Sequence, residues 1–249
     1  MVSWPDLGTR VTVRYRLPAG SVPPLTDAVG HLLAVDPLVR VRTKTGAVIE
    51  FAPADVVALR ELTDAPVRTS DIRALEHAAA AAWPGAEQTW VHGWLLRAQR
   101  GAGLTTNSAV PLDISAQLSA VPAIIDWYRQ RELTPRLAIP DRLLRIPPGP
   151  PIEHTEQVLV RDLAGVTAGQ RHDDSAHAAV TDAPDGTRWV GLRSPVRAAE
   201  ALVAWGAGRG ATRAYLIAGD DDADNVALAA SLGFRLHHRR RYLRAIDTV

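Results

Sequence analysis

Apolar and polar positions alternate with period two through residues 8–17, GTRVTVRYRL. Val11, Val13 and Tyr15 fall on one face, and Thr12, Arg14 and Arg16 on the other. That is the pattern of a half-buried strand. A loop rich in proline and glycine follows, and then TDAVGHLLAVD, VRVRTKTG and AVIEFAPADVVALREL. TKTG sets Gly46 between two apolar runs, which predicts a hairpin turn. PADVVALREL supplies a closing turn and a last strand. About five short strands in residues 8–62 therefore predict a small β-barrel, marginal in size for stability alone.

Past the linker TDAPVRTS (63–70) the pattern turns helical, so domain boundaries are expected at 1–65 and 66–249. Ser70 predicts an N-cap for DIRALEHAAAAAW, which Trp83–Pro84–Gly85 stops. TWVHGWLLRAQ and LTTNSAVPL, joined by RGAG, read as a β-hairpin with Trp90, Trp94 and Leu96 on one face. These tryptophans read as core. ISAQLSAVPAIIDWYRQREL is helical, with Pro122 marking either a kink or the true start. PRLAIP predicts a strand, and the proline-dense RIPPGPPIEHT an extended loop.

EQVLVRDL predicts a strand and VTAGQRHDDSAH a polar loop. AHAAVTD and TRWVGLR flank a turn at Asp185–Gly186, a second hairpin. From Thr187 to Phe234 the order is strand, helix, strand, helix, which can form a parallel βαβ crossover with a second helix behind it. Such a unit sets a helix N-terminus beside strand ends, where N–H groups can hold an anion. The charged tail FRLHHRRRYLRAI predicts one or two edge strands, since charge at an edge blocks stray pairing.

Composition narrows the function classes. The 249-residue chain is 47% hydrophobic and 22% charged, ordinary for a globular protein with a real core. It has no cysteine, which excludes disulfides and thiolate metal sites. No apolar run approaches the ~20 residues of a membrane span, and no leader core opens the chain, so a cytoplasmic location is expected. Lys44 is the single lysine, and net charge is +1. Arginine richness then reads as codon bias of a GC-rich genome, and nucleic acid is an unlikely partner.

WVHGWLLRA…GAGLTTNSAVPL, then DWYRQREL and PRLAIP, resembles the amino-terminal half of actinobacterial GNAT acetyltransferases. WGAGRGATRAYLIA followed by ALAASLGFRLHHRRRY is similar to that family's last third. The residues 8–62 barrel resembles the SH3-like domain of a mycobacterial group of these enzymes. Its expected role is structural or docking, with peptide or nucleic-acid binding as the alternative. The resemblance implies an α+β chain: an SH3-like barrel, then an acyl-CoA N-acyltransferase domain with a central mixed sheet flanked by helices. It implies acetyl-CoA as co-substrate, an amine acceptor (small molecule or protein lysine), and no metal. A homodimer stays open.

The family presents N–H groups of a splayed strand to the thioester carbonyl, here Val190, Gly191 and Leu192. Its pyrophosphate sits at the following helix start, here Arg193, Ser194 and Arg197, with Ser194 as N-cap and Pro195 first in the helix. Asn225 is the further cofactor candidate, three residues past Asp222. The sequence departs from the family in three places: about a dozen residues are missing between Leu192 and the helix, with no glycine between Leu192 and Val203; a helix and a central strand are missing in the 163–176 loop; and Ala229 stands at the thiolate-protonating tyrosine. Two readings follow, an active acetyltransferase or a GNAT-like binding or regulatory module that no longer turns over.

Other clusters carry less. Asp220, Asp221, Asp222 and Asp224 read as a solvated turn with an acidic helix start, since the spacing of a calcium loop is missing. His172, Asp173, Asp174 and His177 fall in a polar loop without metal-ligand spacing. Asp182, Asp185, Glu153 and Asp162 are the candidate bases, each also readable as a surface carboxylate.

Overall fold

The structure is a computed structural model that describes residues 4–62, 67–147, 151–169, 177–193 and 199–246. The chain divides into two units, Met1–Pro66 and Val67–Val249. In the first, β1 (Arg10–Arg16), β2 (Leu25–Ala34), β3 (Val39–Thr43), β4 (Val48–Phe51) and β5 (Val56–Glu61) form one antiparallel sheet. Its order is β4-β3-β2-β1-β5. The period-two pattern works as expected: Val11 and Val13 are buried with Ala28, Leu32, Val39, Val41 and Phe51. Tyr15 stacks on Phe51 with ring centroids 4.0 Å apart.

The second unit opens with α1 (Thr69–Ala82), β6 (Glu87–Val91), β7 (Trp94–Ala98), β8 (Ala109–Pro111), α2 (Val121–Arg129) and β9 (Arg136–Pro140). It continues with β10 (Ile152–Asp162), β11 (Ala178–Asp182), β12 (Arg188–Leu192), α3 (Ala199–Ala207), β13 (Arg213–Gly219), α4 (Ala223–Ser231) and β14 (Arg235–Arg244). Nine strands make one mixed sheet in the order β11-β12-β13-β10-β14-β9-β8-β7-β6. Two neighbouring pairs are parallel, β8 with β9 and β12 with β13. A helix joins the strands of each, α2 and α3 respectively, as a parallel connection requires. The expected βαβ frame is present.

The sheet wraps around α1. Thr181 on the first strand donates to the Ala78 carbonyl at 2.9 Å, while Trp90 on the last strand lies 6.0 Å from the His77 ring. Eight strand spacings of ~4.8 Å would part those strands by ~38 Å in a flat sheet. Contact with adjacent residues of one helix therefore demands strong curvature. The alanines make this possible: Ala74, Ala78, Ala79 and Ala80 are buried, so the helix backbone can lie deep in the hollow. The other face carries α2 over Trp94, Leu96, Leu137 and Leu243. It also carries α3 and α4 over Val190, Leu216, Leu159 and Phe234.

Several expectations change. TWVHGWLLRA is itself a hairpin that folds back at His92 (φ 44°) and Gly93 (φ 84°). Trp90 thereby lands on the opposite face from Trp94 and Leu96 and is 52% exposed. The tail FRLHHRRRYLR is not an edge strand; β14 lies between β10 and β9 in the middle of the sheet. The buried charge of Arg240 is tolerated there because the buried carboxylates of Glu76 and Glu156 meet it. α1 starts at Thr69 rather than after Ser70, and Asp71 accepts the Arg68 N–H at 3.3 Å. Pro122 lies in the first turn of α2 and marks its start. The extended stretch 145–155 already enters β10 at Ile152.

Close approach of α3 to β12 rests on Gly206, where a Cβ would meet Val190 Cβ at 2.5 Å. Helix propensity alone would make Gly206→Ala stabilising by about 1 kcal/mol. The clash outweighs it, because overpacking costs about 1–3 kcal/mol. Gly206→Ala is expected to lower the urea midpoint. A raised midpoint would show that α3 has room to spare over β12.

Candidate functional site

A cleft of about 400 Å³ opens at the carboxyl end of the parallel β12–β13 pair. Open α/β sheets place ligands in this position. Trp83 at the end of α1, Leu192 and Arg193 at the end of β12, Ile217 of β13 and Glu156 of β10 line it. The loop from Gln99 to Thr106 forms the remaining wall. Asn107 braces that loop: its amide accepts from Gln99 N (2.8 Å) and donates to the Gln99 and Ala102 carbonyls (2.9 and 2.7 Å). Arg97 ties the loop to the helix end, donating to the Thr105 carbonyl at 2.6 Å and the Trp83 carbonyl at 3.1 Å. At the mouth the Arg193 guanidinium stacks 4.6 Å from the Trp83 ring centre.

Glu156 is the one carboxylate that lines the cleft among the described residues. Its Oε2 accepts from the Tyr242 hydroxyl at 2.8 Å and from Arg240 Nη1 at 3.2 Å. Both bonds fall on Oε2, so Oε1 is the oxygen left to meet a ligand. Arg240 is 2% exposed and turns its other edge to Glu76 of α1. Nε and Nη2 reach Glu76 Oε1 at 3.1 and 2.9 Å, and Nη2 reaches Oε2 at 2.9 Å. His238 Nε2 lies 2.7 Å from the same Oε1, and His237 Nδ1 lies 2.8 Å from His238 Nδ1.

Two adjacent strand residues normally point to opposite faces. Here the β10–β14 register slips: Val158 pairs with His238 and Leu159 with Leu236, which leaves His237 as an extra residue. This bulge lets both imidazoles be buried and in contact. Burial alone would raise the Glu76 carboxyl, but the Arg240 charge and the His238 bond outweigh it and hold it at about 2. Burial, and then its neighbour His238, push His237 down to about 3. Burial raises the Tyr242 phenol to about 12 despite Arg240. At neutral pH, then, Glu76 is ionised, His237 neutral and Tyr242 a hydrogen-bond donor.

The residues named from sequence separate. Leu192 and Arg193 reach the cleft. Val190 is buried against α3 on the far face. Gly191 faces Tyr215, whose hydroxyl would lie 2.2 Å from an added Cβ. Val190, Gly191 and Leu192 each have partners in both β11 and β13, so the strand is not splayed there. Ser194 and Arg197 lie outside the described residues, as do His172, Asp173 and Asp174. Asn225 holds the start of α4, bonding through its N–H and side-chain amide to Asp222 (3.2 and 2.5 Å). It does not line the cleft. Ala229 is fully buried in the core.

The base candidates are engaged elsewhere. Asp182 pairs with Arg188, Glu153 with Arg136, and Asp185 and Asp162 accept nearby backbone N–H groups. Glu156 is not among those base candidates, although period-two alternation carries a signal for it. It shares a strand face with Val158 and Val160, an apolar face that a carboxylate enters only with partners. Glu76 shows the same sign in a helix, four residues after Ile72 and next to Leu75.

A family profile described as "Probable histone acetyltransferase Rv0428c C-terminal" matches residues 69–175 and 165–243. A second, "Rv0428c N-terminal Sm-like domain", matches residues 5–60. Sm-like is thus the family's description of the unit expected to be SH3-like. The probable histone acetyltransferase Rv0428c of Mycobacterium tuberculosis (strain ATCC 25618 / H37Rv) is 57% identical, with 98% of this chain and 97% of the relative covered. That alignment runs over 297 positions, so about fifty positions of the relative have no counterpart in these 249 residues. A solved GCN5-related N-acetyltransferase from Kribbella flavida is 15% identical over 72% of this chain and 96% of that one, with a TM-score of 0.47.

The buried pair makes acid stability predictable. Both folded values lie below the ordinary ones, 6.5 for histidine and 4.5 for glutamate. The unfolded chain therefore binds protons first as pH falls, and stability drops. The loss runs from pH 6.5 towards 3 for His237, and from 4.5 towards 2 for Glu76. Guanidinium midpoints are expected to fall below pH 6.5 and more steeply below 4.5. His237→Leu should flatten the upper part; an unchanged slope there would assign the proton uptake to another group.

Proposed function

This chain belongs to the family of the probable histone acetyltransferase Rv0428c, and on that premise we propose acetyl transfer from acetyl-CoA to an amine in the cleft at the end of α1. The observation that carries the reading is Glu156, a partnered carboxylate in the wall of a cleft at parallel strand ends. The acceptor nitrogen attacks the thioester carbonyl directly, in a ternary complex. Its proton goes to Glu156, the carbonyl oxygen takes the negative charge, and the C–S bond breaks to release the coenzyme A thiolate. Tyr242 steadies Glu156 in this scheme, its phenol remaining protonated.

One edge of the cleft supports acetyl-CoA as the co-substrate. β13 runs three residues past its last pairing with β12, Leu192 with Leu216. From Ile217 to Gly219 its side towards β12 has no strand partner among the described residues. An extended pantetheine arm can add there as a strand adds to an edge. This shifts the carbonyl-binding role from Val190–Leu192 to the β13 overhang. Arg193, with Ser194 and Arg197, remains the proposed pyrophosphate end. A lysine side chain and a small primary amine both suit a cleft of this size. The Sm-like unit is proposed to dock a partner or acceptor. No helix among the described residues is long and apolar enough to cross a membrane.

A second reading, a GNAT-like module that binds without turnover, is favoured by the unsplayed β12 and by the missing glycine before α3. Acetyl-CoA separates the two. At 100 times its dissociation constant a ligand adds about 2.7 kcal/mol of stability, so acetyl-CoA is expected to raise the melting temperature. Glu156→Gln should keep that shift and lose roughly 10²–10⁴-fold in thiol release with an amine acceptor. Absence of both the shift and thiol release from the unaltered chain would sink the enzyme reading.

A further inference from the structure

We propose that Glu76 is a positioning residue for Glu156, acting through Arg240. The inference rests on Glu156 as the proton acceptor and adds what keeps it fit for that role. Arg240 has two hydrogen-bonding edges. Glu76 occupies the Nε/Nη2 edge with three contacts of 2.9–3.1 Å. A guanidinium held by that fork cannot rotate. Only Nη1 is left for Glu156, at 3.2 Å, shared with the Tyr242 hydroxyl at 3.2 Å.

The consequence is electrostatic as well as geometric. A buried guanidinium facing a single carboxylate would take it in the bidentate geometry and hold it ionised. Such a carboxylate is a poor proton acceptor, and it is turned away from the cleft. Glu76 neutralises Arg240 from the side remote from the ligand. His238, bonded to Glu76 Oε1 at 2.7 Å, keeps that carboxylate in place. Glu156 is then left with one contact from Nη1 and one from a phenol, and with Oε1 free.

The groups around Glu156 and the Glu76–Arg240 pair come from several elements. Arg240, Tyr242 and His238 stand on β14, Glu76 on α1, Arg97 on β7, Tyr215 on β13 and Arg193 at the end of β12. His154, two residues before Glu156, lies 6.0 Å from the Tyr242 ring. Among these, only Glu76 contacts Arg240 on the edge away from the cleft.

Two variants move Glu156 in opposite directions. In Glu76→Gln the shape is kept and the compensating charge removed, so Glu156 alone faces Arg240. In Glu76→Leu with Arg240→Met both charges go, and Glu156 keeps only the Tyr242 bond in a largely buried setting. The probe is the carboxyl carbon of Glu156 in the full-length chain labelled with ¹³C-glutamate, assigned by its disappearance in Glu156→Gln. Its titration midpoint is expected to fall by about one pH unit or more in Glu76→Gln and to rise by a similar amount in the double variant.

The acid limb of the kcat/KM profile should shift the same way. A merely structural Glu76 would change stability and leave the midpoint alone. Unmoved midpoints, or shifts of the same sign, overturn the proposal. Should Glu76→Gln not fold, the double variant decides: an upward shift supports the proposal and no shift overturns it. Full turnover by Glu156→Gln would remove the base reading separately, whatever the midpoints do.

Discussion

The pair of Glu76 and Arg240 is the constraint on which the larger unit is built. It joins the middle of α1 to the middle of the sheet, and both side chains are 2% exposed. Taking two charges from water costs several kcal/mol each, and their attraction returns that only with good geometry and further hydrogen bonds. Here the further bonds come from His238, Tyr242 and Glu156. Such a cluster adds little net stability over an apolar core. The fork is also directional: it receives Glu76 through three contacts of 2.9–3.1 Å, which ties the rotation and depth of α1 to Arg240. Losing either partner leaves a buried charge, which typically costs about 3–5 kcal/mol.

From that anchor the cleft follows by geometry. α1 lies in the hollow with Glu76 near its middle, and its last turn brings Trp83 over the end of β12. Arg97 links Trp83 to the 99–106 loop, so helix end and loop are set together. β13 outruns β12 by three residues, which opens a strand edge beside Glu156. The cluster beneath the cleft is therefore continuous with its wall, and the same arginine that anchors the helix orients the carboxylate. The cleft wall and the helix anchor share one set of bonds.

Much of this was legible in local patterns. The five strands of the first unit, the Asp185–Gly186 hairpin and the β12–α3–β13 crossover all follow from period and turn residues. Their hydrogen bonds are local, or run between segments whose alternation is clean. Residues 89–99 misled because His92 adopts a positive φ, so a two-residue turn hides inside an apolar run. β14 misled for a different reason. Three consecutive arginines resemble an exposed edge until the carboxylates that meet Arg239 and Arg240 are known, and Glu76 stands 164 residues from Arg240.

The sequence by itself determined most of the strands and helices, the absence of cysteine chemistry and the acyltransferase resemblance. The first two depend on residue type or local spacing, and the resemblance on the order of several such segments along the chain. Tertiary structure alone decided which carboxylate faces the cleft, because Glu156 differs from Glu153 and Asp162 only in what the fold sets beside it. It also decided that β12 is paired on both sides and that α1 fills the hollow of the sheet. Long-range pairing settles those points: a buried charge is tolerable only where a distant partner arrives, and no local pattern records that arrival.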